Sequence, residues 1–267
     1  MLSRSSAPRL DPRVKVQAVD YDSVQSLTAA LAGQHAVVNA LGVSTIPRDI
    51  HLHLVDAAYE AGVERFIPSE FGNDTSHPLT AEVPVYADKV AVIQRLKELA
   101  EKDGPFSYTA IINGPFLDWG IKHNFLVNYA GPSALICDGG DVPFSATTLA
   151  GVGKAVVGVL QHPAETKDRY VHVAEATVTQ NQLLHLSGLE DKIKITSVKS
   201  EDLEQQAYSA VQKTPPDFLT FTINLLWRVT FGGKFGSLFE KTDNDLLGVK
   251  RLSESELASI VKEYAQK

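Results

Sequence analysis

Lys89 stands at the head of an apolar stripe. Lys89, Val92 or Ile93, and Leu96 are spaced i, i+3 or i+4, i+7 within a segment, about residues 84–102, that reads as a helix. A partly buried ammonium near the positive end of a helix dipole suits proton transfer near neutral pH. The same spacing also suits a lysine whose stem lies along a core and whose charge snorkels to water. Three further sets of residues sit where strands hand over to loops. Ala40, Leu41 and Gly42 close one apolar run, with Gly42 allowing close backbone approach. Ser69 and Glu70 follow Pro68 at the end of a second run, and Asn113, Gly114, Pro115 and Phe116 follow a third that ends at Ile112. Each set also has the composition of ordinary turn chemistry.

At the N-terminus, Arg4 stands among Ser3, Ser5 and Ser6, with no acid before Asp11. Read as the tail of a sheet strand in a dinucleotide fold, this is the position that selects the cofactor. An acid there binds the ribose 2′-hydroxyl, and an arginine accommodates a 2′-phosphate. A guanidinium fork with hydroxyls therefore suits NADP(H). A polar, solvated terminus has the same composition.

The elements that must position these residues alternate along the chain. Residues 14–19, 35–41, 63–67 and 107–112 read as strands, and residues 23–31, 48–61 and 84–102 as helices. Ser23 is placed to cap the first helix, and Gly33 and Gly62 fall where C-terminal glycines belong. Repeated βα winding predicts an α/β, Rossmann-like, doubly wound parallel sheet, whose ligands bind at the carboxyl ends of the strands. Ala40–Gly42 would then border the ribose side of a bound dinucleotide. A loop-rich stretch follows Gly114. A helix opens at Thr147 or Thr148, and residues 169–173 resemble one more sheet strand. We expect a dinucleotide-binding domain over residues 1–176, with a substrate-side insertion at about 115–146, and a small substrate-binding domain over 177–267.

The glycine-rich G-x-G-x-x-G turn of such folds is not found in the sequence. The nearest run, Gly151-Val-Gly-Lys-Ala-Val-Val-Gly158, has the wrong spacing and lies in a helical pattern, so it reads as a close-packed helix face.

Several stretches then resemble, in order, the isoflavone-reductase-like and NmrA-like family of atypical short-chain dehydrogenases. They are Val37–Gly42, Arg65-Phe-Ile-Pro-Ser-Glu-Phe-Gly72, Asn113–Trp119, Asp138–Phe144 and Thr177–Asn181. The likeness spans nearly the whole chain. It implies an NADPH-dependent reductase with a small C-terminal substrate domain, and a general acid/base lysine at the position of Lys89. It also implies that Asn113–Phe116 meets the nicotinamide and substrate. Family order places residues 1–4 at the end of the second strand, so the first strand, its glycine-rich turn and the first helix would lie before Met1. Tyr86-Ala-Asp-Lys89 is one residue short of the Y-x-x-x-K spacing, so Tyr86 reads as packing. Ile93 stands where plant members often carry an arginine.

Composition narrows the alternatives. A net charge of −7 with no basic block argues against nucleic acid. No run approaches the roughly 18 apolar residues of a membrane helix. The lone Cys137 excludes an internal disulfide and a cysteine zinc site and suggests a reducing, cytoplasmic setting. His51 and His53, at i, i+2 on a helix, point to different faces and make a poor metal pair. No G-x-S-x-G elbow supports hydrolysis. The partner expected is a small aromatic or secondary metabolite, with oligomeric state left open. Trp119, Phe125, Trp227 and Phe231 are candidates for an aromatic wall or for core. The other readings are a non-catalytic, dinucleotide-sensing regulator and a chain impaired in cofactor binding.

Overall fold

A computed structural model describes residues 1–4, 11–42 and 46–265. Along the chain run β1 (Leu2–Ser3), β2 (Gln17–Ala18), α1 (Val24–Leu31), β3 (Ala36–Val38), α2 (Arg48–Glu60) and β4 (Arg65–Ile67). After them come α3 (Pro78–Ala81), α4 (Ala87–Ala100), β5 (Ser107–Ile112), α5 (Leu117–Lys122), β6 (Ser133–Cys137) and β7 (Phe144–Ala146). The rest comprises α6 (Leu149–Gln161), β8 (Arg169–His172), β9 (Ala176–Val178), α7 (Gln180–Ser187), β10 (Lys194–Val198), α8 (Ser200–Val211), α9 (Phe218–Phe231), α10 (Asn244–Leu247) and α11 (Glu254–Ala265). This is an α/β fold built on parallel pairing. β3, β4, β5 and β8 form one sheet in that order, β3–β4 and β4–β5 being parallel.

The chain divides into two compact units. The first comprises Met1–Ser69, Asp88–Ala110 and Pro163–Arg169. Its core includes Leu27, Val55, Phe66 and Leu96, all fully buried. Ser23 caps α1 by accepting from the Ser26 amide at 3.2 Å. Arg65 is buried in β4 and, among the described residues, finds only neutral acceptors, the hydroxyls of Ser107, Thr109 and Thr166 and the carbonyl of Pro163, at 2.5–3.0 Å. Burial lowers the pKa of that guanidinium, opposed by the Asp168 charge. β1 pairs with β2 and not with the larger sheet. Parallel pairing uses alternate residues. Leu2 therefore turns its N–H and C=O away from β2, and Ala36 and Val38 turn theirs away from β4. Among the described residues none of these groups has a partner. A cavity of about 530 Å³ lies between, walled by Leu2, Gln17, Leu31, Val37 and Leu54 among others.

The second unit comprises Glu70–Ala87, Ile111–His162 and Tyr170–Lys267. β10 pairs in parallel with β6, Lys194 opposite Ser133 and Val198 opposite Cys137, and β7 pairs antiparallel with β9. The run from Gly151 to Gly158 is close-packed at its two ends but not at Gly153, where a Cβ would meet nothing within 4 Å. A Cβ at Gly151 would meet the Glu175 carboxylate at 2.4 Å, and one at Gly158 the Leu247 carbonyl oxygen at 2.5 Å. Phe125, Trp227, Phe231 and Phe144 form a chain of edge-to-face contacts at 5.3–6.4 Å between centroids, within the core. Of the four aromatic candidates only Trp119 is exposed, at 45%, stacked by His123.

Candidate active site

In the first unit, the loop at the carboxyl end of β3 is held by side chains that engage both backbone polar groups of one residue. Asn39 follows β3 and is buried, at 1% exposure. Its Oδ1 accepts from the Leu41 amide at 3.0 Å. Ser69, just beyond β4, donates its hydroxyl to the Leu41 carbonyl at 2.7 Å. Both polar groups of Leu41 are thus occupied. The peptide groups of Ala40 have no partner among the described residues, and Ala40 is exposed. A fixed, exposed N–H and C=O at a strand end suit a hydroxyl-rich ligand.

Two helices begin beside this loop. Pro47 precedes α2 and offers no side-chain cap, so the amides of Arg48 and Asp49 are unpartnered among the described residues. Such a helix start carries partial positive charge and orients donors toward an anion. Lys89 lies in the first turn of α4 and is half-buried, while Val92, Ile93 and Leu96 of its stripe are buried. Next to it, Asp88 accepts from Arg48 Nε at 2.7 Å, joining the starts of α2 and α4. His51, on α2, is buried at 1% exposure and meets Asn39 Nδ2 through Nδ1 at 3.1 Å. Its pKa is lowered by burial and by the Lys89 charge, with Asp88 opposing. The Lys89 charge therefore acts on the ring that contacts Asn39.

Arg4 follows β1. It is exposed and makes no ion pair among the described residues, and its charge acts on the phenol of Tyr21. Ser3 lies in β1, and Ser5 lies outside the described residues. Six of the sequence-selected residues, namely Ser3, Arg4, Ala40, Leu41, Gly42 and Ser69, therefore share the first unit with Lys89.

Glu70 belongs to the second unit and is buried, accepting a hydrogen bond from the Thr75 hydroxyl. Asn73 donates to Tyr86 Oη at 2.8 Å and to Thr230 Oγ1 at 3.1 Å. The Tyr86 phenol is buried and its pKa is raised, chiefly by desolvation, which fits a packing role. The loop Asn113–Phe116 is pinned at several points. The amides of Asn113 and Gly114 both donate to the Gly72 carbonyl, at 3.2 and 2.9 Å. Asn113 Nδ2 donates to the Gly114 carbonyl at 2.7 Å, and Thr147 Oγ1 donates to the Asn113 carbonyl at 2.9 Å. Asn113 Oδ1 is buried with no hydrogen-bond partner among the described residues. Pro115 and Phe116 are half-buried, and Phe116 bridges to Thr147. Asp74 and His172 pair at 3.0 Å. Burial would raise the Asp74 carboxyl, but bonds from His172 and Ser76 outweigh it and hold its pKa below the usual range. The thiol of Cys137 is pushed up to about 12, first by burial and then by Asp138, which removes it as a nucleophile. No group of three or more metal-ligating side chains occurs among the described residues.

Sequence reading did not single out Asn39 as a site residue and considered His51 only as a metal ligand. The available signal was a polar residue at the end of an apolar strand, a place normally filled because it controls the following loop.

The family described as NmrA-like matches residues 10–209. The oxidoreductase poxI of Penicillium oxalicum is 39% identical over 165 residues, 61% of this chain and 52% of that protein, so the match spans about half that relative's length. The oxidoreductase aprR of Aspergillus flavus is 31% identical over 270 residues, covering 97% of this chain and 88% of the relative. Among solved structures, the complex of leucoanthocyanidin reductase with NADPH from Vitis vinifera superposes with a TM-score of 0.72 at 18% identity, covering 100% of this chain and 90% of that one. That last likeness is one of fold. The family match and the near full-length relative together assign the chain to the NmrA-like family.

Proposed function

We propose that this chain is an NADPH-dependent reductase of small aromatic or secondary metabolites, with Lys89 as its proton donor. The observation that carries the reading is the exposed Ala40, next to a Leu41 backbone held by Asn39 and Ser69 and placed in one unit with the half-buried Lys89. Oxidoreductase names among the relatives and NADPH in the complex with the same fold support it.

The residues present fit such a cofactor where the structure can be asked. The N–H and C=O of Ala40, unpartnered among the described residues, match ribose hydroxyls, and the start of α2, without a side-chain cap among them, matches an anion. The guanidinium of Arg4, without an ion pair among the described residues, matches a 2′-phosphate, with Ser3 beside it in sequence. Bound NADPH supplies hydride to an electrophilic carbon of the substrate. Lys89 Nζ delivers the proton to the atom that gains negative charge. The turn of α4 on which it sits is anchored by the Asp88–Arg48 ion pair, which limits how far Nζ can stray. Asn39 and Ser69 act earlier, fixing the Leu41 peptide so that the cofactor meets an ordered loop.

The test is NADPH consumption by the full chain against a panel of small aromatic carbonyl compounds. The expected result is substrate-dependent oxidation well above the rate without protein. NADPH binding with no oxidation across the panel would contradict the reductase and favour a dinucleotide sensor.

A further inference from the structure

The carboxamide of Asn39 is fixed in orientation by its own contacts. Because Oδ1 accepts from the Leu41 amide, the Nδ2 group is the one that faces His51. Nδ2 is a donor, so His51 Nδ1 must offer a lone pair, and the single proton of the neutral ring sits on Nε2. His51 Nε2 is buried and has no hydrogen-bond partner among the described residues. The ring is therefore held in a tautomer that leaves one of its own groups unsatisfied. A histidine serving only as filler would relax to satisfy both nitrogens. What is gained is the bond to Asn39, and through it the order of the Leu41 peptide.

We propose that His51 is a positioning residue for the cofactor loop, acting as the neutral Nε2–H tautomer through Asn39 on the Leu41 peptide. The inference rests on the cofactor reading above for its functional consequence, though not for the hydrogen-bond chain itself. The charged groups that act on the ring come from α4, Asp88 and Lys89, and Asp88 is already engaged by Arg48 on His51's own helix. Protonation at Nδ1 would set two donors against each other. It would also add a cation to a dry position near Lys89, so the clamp works in the neutral form.

Three measurements on the full chain decide the matter. Long-range proton–nitrogen spectra of the histidine rings should show His51 as the Nε2–H tautomer at neutral pH. An Nδ1–H ring or a rapidly averaging one would overturn the proposal. In His51→Phe the acceptor is lost, and hydrogen exchange at the Leu41 amide should accelerate about tenfold or more. NADPH affinity should fall by a comparable factor. His51→Gln, whose Oε1 can accept from Asn39, should restore most of both. Unchanged Leu41 exchange in His51→Phe, or no advantage of glutamine over phenylalanine, would overturn the clamp. If the parent chain takes no NADPH, the cofactor reading fails, and the tautomer and exchange results still decide the clamp. If His51→Phe does not fold, the tautomer in the parent chain and the glutamine variant decide it.

Discussion

Replacing Lys89 with methionine is expected to lower NADPH-dependent turnover by roughly 10²–10⁴, the usual contribution of a positioned acid or base. Methionine keeps the stem that lies beside Val92, Ile93 and Leu96 and removes only the nitrogen. The stability loss should stay within about 1.5 kcal/mol, as for a volume-conserving swap. The two roles of this lysine separate cleanly in that variant. Snorkelling needs the stem, whereas proton delivery needs Nζ. The high-pH limb of the rate profile, which would report loss of the lysine proton, should vanish with it. Turnover within about threefold of the parent, well short of a general-acid effect, would remove Lys89 from the mechanism.

The second large effect is on stability. Gly114 has φ +64°, and a Cβ built there would lie 2.0 Å from the carbonyl oxygen of Ser145. That oxygen belongs to backbone in the buried strand β7, where the Ser145 amide donates to Ser237 at 2.8 Å and its hydroxyl accepts from the Phe239 amide at 2.9 Å. Neither partner can swing aside as a long side chain would. Gly114→Ala therefore combines left-handed strain with a backbone clash, and we expect it to lose at least about 3 kcal/mol. Gly139→Ala is the control. Its φ is +80° and a Cβ there meets nothing within 4 Å, so it should cost about 1 kcal/mol from strain alone. Urea midpoints of the two variants measure the difference. Equal losses would mean that the Asn113–Phe116 loop is not locked against β7.

How much of this was legible before any coordinates depends on how local the cause is. β5 was readable to its ends, because Ser107–Ile112 is one continuous run buried at every residue. The α1 and α6 starts were readable because Ser23 and Thr148 accept from amides three residues on. β2 is shorter than the alternating run Val14–Val19 suggests, since only Gln17 and Ala18 lie opposite residues of the two-residue β1. β6 was hidden in a loop-rich stretch. Its partner β10 lies some sixty residues on and is largely exposed; the alternation at Lys192–Thr196 marks that strand two residues early, whereas β6, with Ala134, Ile136 and Cys137 buried, lies in a stretch read as loop. The site divides in the same way. Lys89 announced itself by helical spacing, a local property. The Asn39–His51 pair joins a strand end to a helix twelve residues later, and nothing in residue spacing reveals that a carboxamide faces an imidazole. Glu70, selected as a strand-end ligand, turns into the protein toward Thr75, a contact set by tertiary packing.

The account's central claim is that the unit carrying Arg4, the Ala40–Gly42 loop and Lys89 takes up NADP(H). Calorimetric titration of the full chain with NADPH and with NADH, repeated on Arg4→Ala, tests it most directly. A charge-assisted contact to the 2′-phosphate is worth roughly 1.5–3 kcal/mol, or about ten- to a hundredfold in affinity. NADPH should therefore bind tighter than NADH by that factor, and Arg4→Ala should erase the preference while leaving NADH binding unchanged. Equal affinities in the parent chain, or no heat with NADPH at all, would contradict it.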